Sequence, residues 1–301
     1  KHIIMKKVIL LAFFAFGMQQ AQAQYKFLQY RNVSEKNEAE FVKRETEYWS
    51  KMAKANIKSG KMQAWSLWKK VGVIGDPDTR PNYLFVNDFK SVADFDAMES
   101  GWANPEKVFP NMKLADMETN SISKVPFTYI MKTEAQIDGA PKFVIINYVK
   151  PTSVQAFVEE NINLWKPFFE SEQKKGFKLN GWGLQTVVYP QGNQADFSAL
   201  TWDGFTKLSD ALDHIQYRPA SQSRFASIAK DSKMGTITPN GFELSPILWK
   251  HVKPELSAGR VQSVCLKIIT DKENDINNFL DNKFYKTIGI ICVFRKTIHS
   301  I

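Results

Sequence analysis

The chain has 301 residues, of which 44% are hydrophobic and 13% aromatic, and its formal net charge is +9. This apolar content is sufficient for a packed core and excludes a generally disordered chain, while the basic balance favours anionic partners and says nothing about the fold. The two cysteines, Cys265 and Cys292, lie near the C-terminal end, which excludes a disulfide framework and a cysteine-based metal site from Tyr25 to Asn240.

The N-terminal residues have the order of a secretory signal peptide. A basic pair, Lys6-Lys7, precedes the apolar run Val8–Phe16, and Ala21–Ala23 supplies the small residues of a cleavage site. The run is too short to span a bilayer, so a retained membrane anchor is the weaker interpretation. Residues 1–24 are therefore predicted to be a signal peptide with a few upstream residues, and the protein to be periplasmic or extracellular without a stable membrane anchor.

Residues 25–135 are predicted to form one α+β unit. Apolar residues recur at three- and four-residue steps in the long helical stretch, and a glycine follows its end. The predicted elements, in chain order, are the strand Tyr25–Val33, the helix Glu38–Ser59 ended by Gly60, the strands Met62–Val71 and Tyr83–Phe89, and a helix over Ser91–Met98.

Residues 136–240 repeat this order. The predicted elements are the strand Phe143–Val149, the helix Ser153–Lys175 ended by Gly176, the strands Leu179–Tyr189 and Phe197–Trp202, and the helix Thr206–Ile215. Sixteen residues separate Val33 from Trp49, and the same number separates Val149 from Trp165. Such matched spacing indicates an internal duplication.

The β-α-β-β-α order of each unit is that of the split βαβ arrangement. The predicted fold class is α+β, with two tandem ferredoxin-like units packed sheet to sheet and a mostly helical C-terminal fragment. The arrangement of residues 25–240 resembles the dimeric α/β-barrel superfamily, here as a tandem fusion in one chain. That resemblance implies a ligand held between sheet and helices, in a superfamily that includes small monooxygenases and haem-handling proteins.

The residues of the duplicated body do not identify a reaction. Trp49, Trp65, Trp165 and Trp182 are candidates for an apolar pocket that binds an unknown small molecule, although core packing is the common role of such residues. His214 is the one histidine between residues 25 and 240 and lacks a second ligand at a useful spacing, so no cofactor is evident.

Carboxylates on the two long helices have a spacing that suits solvated faces better than an acid–base pair, namely Glu45, Glu47, Glu159 and Glu160. The catalytic residues of the body are therefore unknown from the sequence, and an enzyme remains one alternative.

The last segment, residues 241–301, has a different character. Leu244–Trp249 reads LSPILW and Leu256–Val264 reads LSAGRVQSV. Residues 241–286 thereby resemble a fragment of bacterial type IA DNA topoisomerase. By this resemblance Ser257, Arg260 and Gln262 contact single-stranded DNA, which agrees with a phosphate at a helix N-terminus and with an arginine fork on a phosphate or base edge.

The rest of such an enzyme is not evident. The family needs an acidic Mg²⁺-binding domain and a catalytic tyrosine far downstream, and Tyr285 lies too near the motif. We therefore expect Mg²⁺ only with a full topoisomerase, and at most weak binding of single-stranded DNA. The join near Asn240 is either an accidental fusion or a truncated gene fusion.

Three functions follow from these observations. The first is an exported α/β-barrel protein of unknown ligand fused to an inactive topoisomerase segment. The second is a topoisomerase-related fragment that binds single-stranded DNA, which would imply a cytoplasmic location. The third is a small-molecule enzyme of the dimeric α/β-barrel type.

Overall fold

The computed structural model describes residues 24–72, 80–219, 222–240 and 244–252. Its strands are β1 (Tyr25–Asn32), β2 (Ala64–Lys70), β3 (Tyr83–Phe89), β4 (Lys124–Ile137), β5 (Phe143–Val149), β6 (Leu179–Tyr189), β7 (Ala199–Phe205) and β8 (Leu244–Val252). They form one closed barrel in the order β1-β3-β2-β8-β5-β7-β6-β4, and every neighbouring pair is antiparallel.

Helices connect the strands outside the barrel. They are α1 (Glu35–Arg44), α2 (Ser50–Lys58), α3 (Met98–Trp102), α4 (Leu114–Met117), α5 (Val154–Glu160), α6 (Lys166–Lys174), α7 (Leu208–Ile215), α8 (Ala226–Ala229) and α9 (Met234–Ile237). Short 3₁₀ turns lie at Val92–Ala97, Pro105–Lys107 and Gly192–Gln194. Within the described residues, no helix is both long and apolar enough to cross a bilayer.

A π-helical turn interrupts each long helix. Glu45–Trp49 joins α1 to α2, and Asn161–Trp165 joins α5 to α6. Each helix ends as the sequence predicts, at a glycine in the left-handed region, with φ of 76° at Gly60 and 94° at Gly176. Single π turns inside α-helices often mark functional positions, because the extra residue changes which side chains face the core.

The two halves of the barrel repeat one strand order, β4-β1-β3-β2 and β8-β5-β7-β6, and they join edge to edge. The β2–β8 and β4–β6 pairs close the sheet. The prediction of two ferredoxin-like units packed sheet to sheet is therefore wrong. Edge pairing satisfies the backbone N–H and C=O groups that two open sheets would leave exposed. The α/β-barrel resemblance holds in coarse form, as one barrel with helices outside.

The predicted mostly helical C-terminal fragment is also wrong where the structure describes it. Leu244–Val252 is an extended strand that fills the gap between β2 and β5. Leu248, Trp249 and Val252 are buried there. Ser257, Arg260 and Gln262, and the predicted signal peptide through Ala23, lie outside the described residues.

The apolar core lies on both faces of the closed sheet, because successive strand residues point to opposite sides. One cluster fills the lumen and includes Leu84, Met131 and Trp249. Others lie between the sheet and the helices, the largest of them in the second half around Phe169 and Trp182. Cavities can therefore form either inside the barrel or under the helices.

Candidate functional site

The larger cavity, of about 650 Å³, lies between the sheet of the first half and its helices. Alternate residues of β1 project from the outer face of the sheet into it. The sheet side is formed by Phe27, Gln29, Arg31, Trp65, Phe85 and Asn87. The opposite side is formed by Glu45, Trp49, Met98, Glu99, Trp102, Ala103, Leu114, Glu118, Thr119 and Asn120.

Glu45, the first residue of the π turn, places a carboxyl group in this cavity and is only 4% exposed. Its Oε1 accepts a hydrogen bond from Thr119 Oγ1 at 2.7 Å. Burial raises the pKa of Glu45 to about 7, although the Thr119 hydrogen bond and the charge of Arg31 both act to lower it. The group can therefore donate or accept a proton near neutral pH.

Arg31 supplies positive charge to the same cavity and is 8% exposed. Its Nε donates to Gln29 Oε1 at 2.9 Å, and its Nη1 donates to Asn120 Oδ1 at 2.8 Å. Among the described residues no carboxylate lies in ion-pair contact with the guanidinium, and Nη2 has no hydrogen-bond acceptor. Burial lowers the pKa of Arg31 without removing its charge, which leaves a donor for an anionic guest.

The other end of the cavity is aromatic. The ring centroids of Trp49 and Trp102 lie 6.0 Å apart, and Trp49 Nε1 donates to Met117 O at 2.8 Å. Phe27 and Arg31 are four residues apart on β1, so the aromatic and charged ends are separated by about 13 Å along the strand. The cavity is thus an amphipathic slot.

One polar atom at the aromatic end has no partner. Asn87 is 6% exposed, and its Oδ1 is buried without a hydrogen bond. It lies opposite Phe27 on β1 and opposite Trp65 on β2. An unpaired buried acceptor costs about 1–3 kcal/mol, so a guest with a donor at this end would offset that cost.

The structure separates the four tryptophans that the sequence suggests for a pocket. Trp49 and Trp65 line the slot. Trp165 and Trp182 lie in the second half, where Trp182 is 1% exposed and its ring centroid is 5.9 Å from that of Phe169. Trp165 similarly packs on the ring of Phe225. These two tryptophans fill the space between sheet and helices.

The equivalent place in the second half lacks the charges of the slot. Counting back from Trp165 as from Trp49 places Asn161 at the position of Glu45 and Asn147 at the position of Arg31. The Asn161 side chain donates a hydrogen bond to the carbonyl oxygen of Phe157, one turn earlier in the same helical segment. The two charged groups of the slot, Glu45 and Arg31, thus correspond to uncharged asparagines in the second half.

A different polar cluster occupies the second half. Asn147 Nδ2 donates to Asp203 Oδ2 at 2.8 Å, and His214 Nε2 lies 3.7 Å from the same oxygen. The His214 ring packs against Phe177 and Phe205. The described part of the chain contains no group of three or more His, Cys, Asp or Glu side chains arranged to hold a metal ion.

The sequence interpretation missed Glu45, which it assigned to a solvated face. That assignment is wrong, because Glu45 lies four residues after Phe41 and four before Trp49, on the apolar stripe of the helix. A carboxylate at a helical position otherwise filled by apolar residues is the signal that could have identified it. The sequence signal for Arg31 as a site residue is weaker, since it is only a charged residue in a strand that also contains apolar residues.

Comparisons with known proteins give two kinds of similarity. A family model for DNA topoisomerase matches residues 239–299, which supports the resemblance of that segment. Among solved structures, this chain is similar to a variant of chlorite dismutase from Candidatus Nitrospira defluvii in complex with cyanide. The sequence identity is 8% and the TM-score is 0.47, and the match covers 77% of this chain and 92% of that chain. It is also similar to an anthrone oxidase-like protein, at 10% identity and a TM-score of 0.46, over 77% and 93%.

Proposed function

We propose that the slot of the first half is the active site of a small-molecule enzyme that moves a proton on an apolar, aromatic substrate bearing one carbonyl group. The observation that carries this proposal is a buried carboxyl group, Glu45, and a guanidinium without a carboxylate partner, Arg31, in one cavity with tryptophan walls. The two groups supply acid–base and electrostatic catalysis, which are the two main requirements for enolisation.

The proposed step uses the two charged groups of the slot. The Glu45 carboxylate removes a proton from the carbon beside a substrate carbonyl, and the electrons of that C–H bond form a carbon–carbon double bond. The carbonyl π electrons move to oxygen, where Arg31 Nη2 donates a hydrogen bond to the enolate. Thr119 holds Oε1 of Glu45, which leaves Oε2 to carry the proton and return it.

The tryptophan end orients the substrate and limits water. Indole rings provide apolar area with a defined geometry, and the slot volume lies within the range of small-molecule sites. A dry site strengthens the attraction between the enolate and Arg31, because fewer waters screen the charges.

The test uses 2-tetralone, an enolisable ketone fused to an aromatic ring. The exchange of its α-hydrogens in D₂O is followed by NMR with the wild-type protein and with Glu45→Gln and Arg31→Met. We expect acceleration over buffer, and a loss of at least about a hundredfold in Glu45→Gln. Glu47→Gln is the matched control, since Glu47 is exposed on the same π turn. Equal rates for wild type and Glu45→Gln, or no acceleration by the wild type, would contradict the proposal.

A second candidate function rests on the DNA topoisomerase match over residues 239–299. The matched segment contains Ser257, Arg260 and Gln262, which we propose bind single-stranded DNA weakly. A gel shift should weaken as salt rises and should be lost in Arg260→Ala, with Arg224→Ala as a control outside the match. Relaxation of supercoiled DNA with Mg²⁺ should be absent, and its detection would show that the segment supports catalysis.

The location of the protein separates the two functions. Export through residues 1–24 remains our proposal, and a role on DNA would require the cytoplasm. Cell fractionation with N-terminal sequencing of the mature protein tests it. A new N-terminus at Gln24 in the periplasm would support export, and a full-length cytoplasmic protein would contradict it.

A further inference from the structure

A second cavity lies inside one end of the barrel, on the other face of the sheet from the slot. Its volume is about 260 Å³. A dry cavity of roughly 150 Å³ is enough to hold benzene, so this one accommodates a small ring with a substituent. Its walls are lumen-facing side chains that include Leu28, Leu84 and Ile146.

A buried amide points to a guest in this cavity. Gln185 lines it and is 3% exposed, and the described residues give its carboxamide no hydrogen bond. Thr133, opposite Gln185 on β4, also has a buried Oγ1 without a partner. Buried polar groups are normally satisfied, and each exception calls for a water or a ligand.

Two indoles bound the same space. Trp202 lies against Gly183, where a Cβ atom would overlap the indole nitrogen, so the glycine fixes the place of the ring. Trp68 is oriented by the hydrogen bond from its Nε1 to Ser66 Oγ at 2.8 Å. Both indoles therefore have defined positions before any guest enters.

Three charged side chains line this cavity, and two of them, Lys26 and Asp88, form an ion pair. The third, Asp138, is exposed and accepts a hydrogen bond from Gln136 Nε2 at 2.8 Å. Lys26 Nζ lies 2.7 Å from Asp88 Oδ2, and both side chains are largely buried. This ion pair does not favour a charged guest, because a guest of either sign would lie beside one side chain of the same sign. The cavity thus combines aromatic walls, an ion pair and the carboxamide of Gln185, which has no hydrogen-bond partner among the described residues.

We infer that the lumen cavity is a second ligand site, which takes a compact, uncharged, planar molecule with an N–H donor beside a carbonyl, as in a primary amide or lactam. The guest N–H donates to Gln185 Oε1, and Gln185 Nε2 donates to the guest carbonyl. The ring of the guest packs on Trp68 and Trp202. This site is separate from the slot and does not depend on its proposed chemistry.

The experiment titrates the full chain with benzamide and with acetophenone, which has the same shape but lacks the N–H donor. Calorimetry and Trp fluorescence report binding. We expect benzamide to bind with millimolar affinity or better, and more tightly than acetophenone. Gln185→Leu should weaken benzamide at least about tenfold and acetophenone less, because acetophenone loses only the hydrogen bond from Gln185 Nε2. Continued binding of acetophenone by this variant would also show that the cavity is intact.

Glu45→Gln is the control for the other cavity and should leave benzamide affinity unchanged. A second measurement needs no variant: nuclear Overhauser contacts should join the benzamide ring protons to the indole protons of Trp68 or Trp202. Loss of benzamide binding in Glu45→Gln, contacts to Trp49 in place of these indoles, or no binding by the wild type would overturn the inference. In the last case the cavity holds water alone.

Discussion

Replacing Glu45 by glutamine should change how the stability of the protein depends on pH. Burial raises the pKa of Glu45 from its ordinary value of 4.5 to about 7. A carboxyl group with a raised pKa binds its proton more tightly in the folded protein than in the unfolded chain. The free energy of unfolding therefore falls as pH rises from about 4.5 through about 7.

The size of the effect follows from that difference in pKa. Each pKa unit corresponds to about 1.4 kcal/mol, so ionised Glu45 costs the folded protein roughly 3 kcal/mol above pH 8 and almost nothing below pH 4. Glutamine keeps an acceptor for the hydroxyl of Thr119 and carries no charge. Glu45→Gln should therefore equal the wild type in stability at low pH and exceed it by roughly 3 kcal/mol at high pH.

Urea unfolding followed by Trp fluorescence, at intervals from pH 4.5 to pH 8.5, measures the difference. Glu47→Gln controls for the loss of an exposed carboxylate from the same turn. Its stability should track that of the wild type within about 0.5 kcal/mol. A constant difference between wild type and Glu45→Gln across this range would refute the assignment of Glu45 as a buried, proton-holding group.

Three further predictions concern the barrel. A chain ending at Asn240 lacks β8 and should lose cooperative thermal unfolding by circular dichroism, whereas a chain ending at Pro254 should retain it; equal melts would show that β8 is dispensable. Trp182→Ala should lower the free energy of unfolding by about 3–5 kcal/mol in a denaturant titration, and a change below about 1 kcal/mol would contradict its role in the core. Asp203→Ala should cost about 2 kcal/mol in the same assay, because Asn147 Nδ2 keeps only its longer hydrogen bond, to Thr201 Oγ1 at 3.3 Å, and Asp203→Asn should cost less.

Local patterns in the sequence predict the parts of the fold that local physics determines. Alternating apolar residues give six of the strands within a few residues, and the glycines at 60 and 176 give the ends of the long helices. The sequence pattern does not predict the strand β4, because its first residues are exposed and Pro126 interrupts the alternation. Its conformation depends on pairing with β1 and β6, which are distant in sequence.

The segment from Leu244 to Val252 depends even more strongly on pairing with strands that are distant in sequence. Pro246 suits the first turn of a helix, and the sequence favoured that interpretation. Two open strand edges, on β2 and β5, instead provide hydrogen-bond partners along the segment and a place for Trp249 in the lumen. Tertiary pairing outweighs local propensity here, because unsatisfied edges cost more than a helical turn gains.

The site could be predicted only in part for a related reason. The tryptophans give no local sign of which pair lines a cavity and which pair fills the space under the helices. That depends on the packing of Phe169, on α6, against Trp182 and of Phe225, just before α8, against Trp165. The charge of Glu45 favours a solvated face of the helix, although its position among apolar residues places the side chain in the interior. Long-range packing thus decides the chemistry of each half.

The asymmetry of the two halves supports the assignment of the slot. Selection for stability alone would favour the solution of the second half, where aromatic side chains fill the space and asparagines replace the charges at the positions of Arg31 and Glu45. The first half instead retains a cavity, a carboxyl group that costs roughly 3 kcal/mol when ionised, and an unpaired acceptor on Asn87. Natural proteins tolerate such local costs mainly where function requires them. The filled half then provides the packing that offsets the cost of the open one, since both belong to one closed sheet.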